Sequence, residues 1–502
     1  LAGAGASSGM AMAHWEIQGW MILILGWVFV PFYTRSMVYT MPEFLERRYN
    51  PQSRTILSVI SLVSYVLTKV AVTVYAGGLV FQQVFGIKEL WGIDFFWIAA
   101  IGLVVLTALY TIFGGMKSVL YTSVLQTPIL LLGSLIILVL GFKELGGWDE
   151  MMRVCGAVTV NDYGDTMTNL IRSNDDANFP WLGALIGSAI IGFWYWCTDQ
   201  FIVQRVLSGK NEMEARRGTI FGAYLKLLPV FLFLIPGMIA FALHQKYIGA
   251  GGEGFLPMLA NGTANADAAF PTLVAKLLPA GVKGLVVCGI LAALMSSLAS
   301  LFNSSAMLFT IDFYKRFKPE TPEKKLVGIG QIATIVIVVL GILWIPIMRS
   351  VGDVLYTYLQ DVQSVLAPGI AAAFLLGICW KRTSAQGGMW GLISGMVIGL
   401  TRLGAKVYYS NAGEVADSTF KYLFYDMNWL FFCGWMFLFC IIVVIVVSLA
   451  TEAPTAEKIQ GLVFGTATKE QKAATRASWN HWDIIHTVII LAITAAFYWY
   501  FW

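Results

Sequence analysis

Charged residues are scarce in this chain of 502 residues. Only 12% of the residues are Asp, Glu, Lys or Arg, whereas 58% are hydrophobic, and the mean hydropathy is +0.72. Soluble domains carry roughly 25% charged residues. The composition therefore excludes a soluble globular protein and predicts a chain that crosses a membrane many times. We expect a multi-pass protein of the plasma membrane, specifically of the inner membrane of a bacterium.

Cysteine is also rare, and its distribution excludes a cysteine-based framework. The six cysteines are Cys155 in a polar connection and Cys197, Cys288, Cys379, Cys433 and Cys440 in apolar stretches. Their spacing matches no disulfide or metal-binding pattern. The net charge of +4 is small, and Lys and Arg cluster in connections. This distribution reports membrane topology and gives no reason to expect a nucleic acid partner.

The chain also lacks an initiator methionine. It opens on the small-residue run LAGAGASSGM, which is too short to span a bilayer. We therefore expect the sequence to begin partway along a helix.

Long apolar windows predict an all-α polytopic membrane protein with twelve full spans after a partial first helix. The partial helix is predicted at 1–13, and the full spans near 16–36, 52–85, 94–113, 117–142, 181–207, 214–248, 282–314, 326–349, 354–380, 387–409, 428–450 and 482–502. Clusters of Lys and Arg mark every second connection, which predicts that those connections are cytoplasmic. The connections at 143–180, 249–281 and 410–427 are then external.

One span carries polar residues that a helix facing only lipid would lack. Residues 191–205 read IGFWYWCTDQFIVQR, which combines aromatic rings with Asp199, two amides and Arg205. A charge inside a membrane is costly unless it faces a partner or a water-filled cavity. Both charges have an alternative, since they can lie near the cytoplasmic end and reach the headgroups, and for Arg205 the two readings are equally good. The headgroup alternative suits Tyr195 and Trp196 less well, because they lie deeper in the span. This stretch is therefore predicted to contact a polar group inside the membrane.

Three motifs together resemble a known family. They are WYWCTDQ at 194–200 followed by VQR at 203–205, YTIFGGMKS at 110–118, and ALMSS at 293–297. These runs resemble segments of the sodium/solute symporter family, in particular its sodium/glucose (galactose) cotransporter branch. The resemblance can be followed from Gly5 to about Leu403.

The resemblance implies a leucine-transporter-like core of two inverted five-helix repeats, each opening on an interrupted helix. The first repeat would occupy 1–142, with its first helix incomplete, and the second 181–380. An external loop at 143–180 would separate them, and 381–502 would add C-terminal transmembrane helices.

A candidate sodium site lies in the third motif. Ala293, Ser296 and Ser297 stand at i, i+3 and i+4, so one carbonyl and two hydroxyls share a helix face. Hard cations prefer such oxygen ligands. From the residues alone, a small-residue seam for close helix packing remains the alternative. The resemblance implies that these three residues bind Na⁺ together with carbonyls of the incomplete first helix.

The resemblance also implies a single coupled sodium ion. A second sodium site in some relatives needs an Asp in the motif Tyr-Thr-Asp, but this chain has Ser123 after Tyr121 and Thr122. Ala299 likewise lacks an oxygen that some relatives supply.

For the solute, the resemblance implies a set of polar groups and aromatic rings. The implied substrate-binding residues are Glu16, Lys226, Gln360, Tyr195, Trp196, Trp15 and Tyr356. Many hydroxyls need donors and acceptors, and the C–H side of a sugar ring needs an aromatic face. Tyr195 would stack under the ring as an inner gate, with Trp196 beside it, while Trp15 and Tyr356 would close from outside. An anion, a cation and an amide together suit a neutral polyhydroxylated solute.

Each polar candidate has a structural alternative. Glu16 can be an interfacial residue, Lys226 can extend to the headgroups, and Gln360 can form a hydrogen bond between helices. The partner of Lys69, which resembles a lysine of animal cotransporters, is open between Asp199, Asp361 and solvent.

Two departures from the family pattern leave the solute open. Gly192 stands where relatives carry Thr or Asn, and Gln363 where they carry Thr. Glucose or galactose is expected within the hexoses, and myo-inositol remains an alternative.

The function implied is sodium-coupled symport of a neutral monosaccharide by alternating access, with sodium and the lipid bilayer as the other partners. Symport of myo-inositol, sialic acid or another organic solute is the alternative. A membrane ligand sensor is less well supported, because the longest cytoplasmic connection, 451–481, is too short for a signalling domain. Enzymatic activity is not expected, since no nucleophile motif, metal cluster or phosphate loop accompanies Glu16 and Lys226.

Overall fold

The computed structural model describes residues 1–36, 38, 40–259, 262–351, 355–411 and 416–502. Side chains are described for these residues except 110, 112–123, 125, 348–351 and 357. The protein is almost entirely helical, as the apolar windows predict.

The residues described up to Gly156 form nine α-helices and one small hairpin. The helices are α1 (Ala2–Ser8), α2 (Ala13–Glu16), α3 (Gly19–Ile24), α4 (Val30–Ser36), α5 (Met41–Arg48), α6 (Pro51–Ser64), α7 (Ala71–Phe85), α8 (Phe95–Leu145) and α9 (Trp148–Gly156). Strands β1 (Glu89–Leu90) and β2 (Ile93–Asp94) pair antiparallel. Trp91 and Gly92 between them both have positive φ, as a tight two-residue hairpin turn requires.

The α-helices described after Gly156 are given in chain order as two sets, up to Cys379 and after it. The first is α10 (Trp181–Gly192), α11 (Gln200–Leu207), α12 (Glu212–Pro229), α13 (Ile235–Gly249), α14 (Ala269–Leu277), α15 (Ala280–Met307), α16 (Lys315–Phe317), α17 (Glu323–Val351) and α18 (Leu355–Cys379). The second is α19 (Ala385–Asn411), α20 (Thr419–Lys421), α21 (Trp429–Ala450), α22 (Lys469–Ala477) and α23 (His481–Tyr500).

Ten helical segments in the described part of the chain are long and apolar enough to cross a membrane. They are Ala2–Ser36, Pro51–Phe85, Gln126–Leu145, Trp181–Thr198, Glu212–Gly249, Ala280–Phe317, Glu323–Ile347, Tyr358–Cys379, Trp429–Ala450 and His481–Tyr500. Twelve were expected. The predicted spans 94–113 and 117–142 lie in the single helix α8, which continues through residues 114–116. The predicted span 387–409 corresponds to α19, which is outside these ten.

The N-terminal helical segment is interrupted early. Helix α1 ends at Gly9, whose φ is +64°, and a 3₁₀ turn follows at Gly9–Met12 before α2. A Cβ atom at Gly9 would lie 2.1 Å from the carbonyl oxygen of Met167, so only glycine fits there.

The polar aromatic stretch is interrupted as well. Helix α10 continues into a π-helical segment, Phe193–Thr198, and the chain then becomes extended at Asp199 with ψ 126°. The Asp199 carboxylate accepts from the Phe201 amide at 3.0 Å and caps α11. Helices α10 and α11 are thus two halves of a broken helix, and π segments of this kind are frequent at functional sites.

The broken helices meet in the interior of the bundle. Helix α15 packs along α8, α18 packs against both α19 and α21, and α1 packs against α13. One internal cavity is surrounded by α2 and the connection after it, α10 with its π segment, α12 and α18.

Candidate substrate and sodium site

An internal cavity of about 220 Å³ lies between these elements. It is lined by Trp15, Glu16, Gln18, Ile191, Gly192, Tyr195, Trp196, Lys226, Tyr356, Leu359, Gln360 and Gln363. All seven predicted substrate-binding residues are brought together here from four separate elements. Small-molecule pockets commonly measure roughly 300–1,000 Å³, so this cavity suits a compact solute. That these side chains bind the solute remains a prediction.

A buried ion pair crosses the cavity. The Lys226 ammonium lies 2.6 Å from Glu16 Oε2, and the Tyr356 hydroxyl donates to Glu16 Oε1. Glu16 is only 5% exposed. Glu16 is therefore not an interfacial residue, and Lys226 does not extend to the headgroups. The two opposite charges leave the cavity without a net charge from this pair.

The geometry of Gln360 argues against a role in helix packing. Its side chain is buried, and its Oε1 has no hydrogen-bond partner among the described residues. A buried acceptor without a donor is destabilising, and groups of this kind usually have a partner in the functional state. Gln360 follows Tyr356 by one helical turn on α18, so both side chains face the cavity.

Aromatic rings close the cavity on two sides. Tyr195 and Trp196 meet edge to face with ring centroids 5.1 Å apart. On the other side, Trp15 stacks on Trp429 at 5.4 Å and meets Phe179 edge to face at 6.0 Å. Sequence reasoning missed Phe179 and Trp429, because their contact with Trp15 depends on long-range packing that no local pattern reports.

The residue before Trp15 holds this wall in place. His14 Nδ1 lies 2.9 Å from the Tyr498 hydroxyl, and Nε2 lies 3.0 Å from the Leu170 carbonyl oxygen. Both ring nitrogens are thus engaged by α23 and the loop before α10. His14 positions α2 and does not face the solute cavity.

Lys69 has a definite partner, Asp199, beside the Tyr195 ring that lines the cavity. It donates to Asp199, which also accepts from the Tyr65 hydroxyl at 2.9 Å. Its ammonium lies 4.3 Å from the Phe201 ring centroid, 4.6 Å from that of Tyr65 and 5.1 Å from that of Tyr195. Asp199 is 4% exposed, so it does not reach the headgroups.

The other alternative partner of Lys69 is engaged elsewhere. Asp361 accepts from Lys406 on α19. Arg205 also lies inside the protein, where it donates to Ser300 on α15 and has its guanidinium 4.8 Å from the Phe201 ring centroid. The interior position of Arg205 was therefore the correct one of its two alternatives.

The candidate sodium ligands lie on one continuous helix. Ala293, Ser296 and Ser297 occupy successive turns of α15; Ser296 is buried, Ala293 is half-buried and Ser297 is exposed. The Ser300 hydroxyl donates to the Ser296 carbonyl oxygen at 3.0 Å, which links this helix to Arg205. Their role as ligands remains a prediction.

Two sequence motifs fall mostly outside the described side chains. These are the run at 121–123, which bears on a second sodium site, and the run at 110–118 apart from Thr111.

Gln18 is a cavity residue that sequence reasoning missed. Its amide nitrogen donates to the Ser188 carbonyl oxygen at 2.8 Å. The available signal was a polar side chain two residues after Glu16 in an otherwise apolar span.

Comparison with known proteins agrees with this architecture. Residues 1–395 match the sodium:solute symporter family. Over 479 residues the chain is 35% identical to "Sodium/myo-inositol cotransporter 2" of Homo sapiens, covering 93% of this chain and 70% of that protein. It is 35% identical to "Sodium/glucose cotransporter 4" of Danio rerio over 474 residues, covering 91% and 70%. It is 35% identical to "Sodium/mannose cotransporter SLC5A10" of Bos taurus over 504 residues, covering 96% and 83%.

A solved structure shares the fold. A substrate-bound, outward-open Na⁺-coupled sialic acid symporter superposes with a TM-score of 0.66 at 20% sequence identity, covering 90% of this chain and 86% of that one. The expected leucine-transporter-like helical fold is thereby confirmed. This chain is a multi-pass membrane transporter that uses sodium as its coupling ion, and it belongs to the sodium:solute symporter family.

Proposed function

We propose that this symporter imports a neutral hexose of the glucose and galactose class by alternating access, with one sodium ion per sugar. The observation that carries the proposal is the buried Glu16–Lys226 pair in a compact cavity walled by aromatic rings. A pocket that already balances its own charge favours a neutral solute, since a charged one would leave an unpaired charge in a low-dielectric interior.

Sugar hydroxyls would compete with the groups that now pair with one another. Glu16 would accept from hydroxyls, Lys226 would donate to them, and the unpartnered Oε1 of Gln360 would accept a further one. This exchange would keep Glu16 and Lys226 hydrogen-bonded and would give Gln360 Oε1 the donor that it lacks. Tyr195 would offer its ring face to the C–H side of the sugar.

Sodium drives transport in this proposal by binding one conformation better than the other. The ion would be held by the carbonyl of Ala293 and the hydroxyls of Ser296 and Ser297, with carbonyls of the first helix. Two inverted repeats, 1–142 and 181–380, would move relative to each other around the fixed cavity. The outer wall of Trp15 and Tyr356 and the inner wall of Tyr195 would open alternately.

A second candidate solute is myo-inositol. It is favoured by the 35% identity to the human protein named as a myo-inositol cotransporter, and by Gly192, which removes one side chain from the cavity wall. A cyclic polyol also presents many hydroxyls without charge, so the same residues would bind it.

Uptake into proteoliposomes tests the proposal. Purified protein should accumulate radiolabelled glucose, galactose, mannose or myo-inositol when sodium is outside, and none when potassium replaces sodium on both sides. The preferred solute is the one that competes best with the others. Sialic acid, which is charged, should not compete. Equal accumulation with potassium would refute sodium-coupled sugar import, and a measured ratio of two sodium ions per sugar would refute the single coupled ion.

A further inference from the structure

The wall of the cavity formed by α10 has a gap in its side chains. Gly192 lines the cavity but contributes no side chain, and Ser188 stands one helical turn before it. Gln18, in the connection between α2 and α3, fills this gap. A Cβ atom at Gly192 would lie 2.6 Å from Gln18 Oε1 and 3.1 Å from Gln18 Cδ, so the amide occupies the space that a side chain at 192 would take.

The Gln18 amide is held in a fixed orientation. Its Nε2 donates to the Ser188 carbonyl oxygen at 2.8 Å, and the residue is only 3% exposed. Because Nε2 is tied to Ser188, rotation of the amide is restricted and Oε1 stays against Gly192. A primary amide carries two donor hydrogens and an acceptor oxygen. The bond to Ser188 uses one of these hydrogens.

From this arrangement we infer that Gln18 is a specificity-determining residue that binds one hydroxyl of the solute, and that Gly192 is required to admit it. This inference rests on the proposed transport of a neutral polyhydroxylated solute. It differs from the proposed roles of Glu16, Lys226 and Gln360, because the Gln18 amide lies against α10 at Gly192 and Ser188. The Gln18 amide reads a single position of the ring, the one next to α10.

Two independent changes should remove this contact. Gln18→Leu keeps approximately the same size but removes the donor and the acceptor. Gly192→Ala leaves Gln18 in the chain but places a methyl group 2.6 Å from Oε1, which is too close, so the amide must move. The two changes act on one contact, so their effects should not add in the double variant.

The experiment measures sodium-dependent uptake of the preferred solute and of its complete set of monodeoxy analogues. The unaltered protein should discriminate against each analogue that lacks a bound hydroxyl. In Gln18→Leu and in Gly192→Ala, discrimination should fall by about three- to tenfold against one analogue, the same in both, which is the size expected for a single hydrogen bond. Discrimination against all other analogues should remain.

Matched variants separate this role from a structural one. Gly222→Ala adds the same methyl group where the nearest side-chain atom is 4.0 Å away, and Gln82→Leu removes an amide that bonds Asp94 on the outer surface. Both should keep the analogue profile of the unaltered protein. If Gln18→Leu does not fold, Gln18→Asn takes its place. It keeps the amide on a shorter side chain, so it should lose part of the discrimination against the same analogue.

The outcomes distinguish this inference from the proposed function. If the unaltered protein takes up none of glucose, galactose, mannose and myo-inositol, the proposed function is overturned and the inference with it. Normal uptake by the unaltered protein, combined with an equal loss for all analogues or an unchanged profile in the variants, would overturn the inference alone.

Discussion

Lys69 donates a hydrogen bond to Asp199, and its ammonium lies 5.1 Å from the centroid of the Tyr195 ring. Lys69 belongs to a π-helical segment between α6 and α7, whereas Asp199 lies at the break between α10 and α11. The pair therefore joins the helical segment Pro51–Phe85 to the broken helix formed by α10 and α11, directly against a wall of the cavity.

Removal of one charge from this pair should strongly destabilise the protein. Asp199→Asn leaves the Lys69 ammonium buried without its counter-ion, and loss of one partner of a buried ion pair typically costs about 3–5 kcal/mol. We expect a clear fall in melting temperature of the purified protein. The double variant Lys69→Met with Asp199→Asn should melt above Asp199→Asn alone, because it removes the stranded charge.

An exposed pair provides the control for this prediction. Lys421 lies 2.8 Å from Asp417, whose side chain is 94% exposed. Asp417→Asn should leave the melting temperature unchanged, since exposed pairs contribute little. If Asp199→Asn also left the melting temperature unchanged, the pair would have no role in holding these two helical segments together.

The sequence predicted which helices carry the cavity, but not how their faces meet. The resemblance selected Glu16, Lys226 and Gln360, and these residues do line one space. It left the partner of Lys69 open, because Asp199 and Asp361 both lie in apolar spans and periodicity does not fix how one helix rotates against another. Only the three-dimensional packing separates them.

Two other features could not be predicted, for related reasons. The predicted spans 94–113 and 117–142 left residues 114–116 between them, yet α8 continues through these residues, because tertiary context can override the low helix propensity of glycine. Gln18 was overlooked because its place in the wall depends on what Gly192 lacks. A missing side chain on one helix gives no local signal for the residue that fills its space from another.

Gln360 should contribute to solute affinity and little to folding. Gln360→Ala removes a buried amide whose oxygen has no partner in the described part of the chain. The Michaelis constant for the solute should rise about three- to tenfold, the range of one hydrogen bond. Expression and melting temperature should be retained.

The comparison for Gln360 is Gln82→Ala, in which the lost amide bonds Asp94 on the surface. Its transport should equal that of the unaltered protein. Loss of folded protein in Gln360→Ala, with no change in affinity of what remains, would instead assign Gln360 to helix packing.

Ser297 should control the response to sodium. Ser297→Ala removes one hydroxyl of the proposed ion site, so the sodium concentration for half-maximal uptake should rise at least about tenfold, or about 1.4 kcal/mol. Solute affinity measured at saturating sodium should change much less. Ser394→Ala on α19, whose hydroxyl donates to the local Gly391 carbonyl oxygen and also contacts the Cys440 thiol, is the matched control. An unchanged sodium dependence in Ser297→Ala would remove this residue from the site.

Asp267, which bonds the first residue of α18, should make the stability of the protein depend on pH. Its two carboxylate oxygens lie 3.2 and 3.1 Å from the Leu355 amide nitrogen at the start of the helix. Burial raises the pKa of Asp267 to about 6 from its ordinary value of 3.8, against the opposing effect of the Leu355 amide. The folded protein therefore holds this proton more tightly than the unfolded chain does.

This raised pKa fixes the sign of the effect. The stabilising contribution is fully present below about pH 4 and is lost as the pH rises through about 6, and a gap of about two pH units corresponds to about 3 kcal/mol. Asp267→Asn cannot titrate. The unaltered protein loses this contribution as the pH rises, whereas Asp267→Asn does not. The melting temperature of Asp267→Asn minus that of the unaltered protein should therefore increase progressively from pH 5 to pH 7. Asp417→Asn should run parallel to the unaltered protein over this range. Parallel curves for Asp267→Asn as well would show that Asp267 does not titrate in this window.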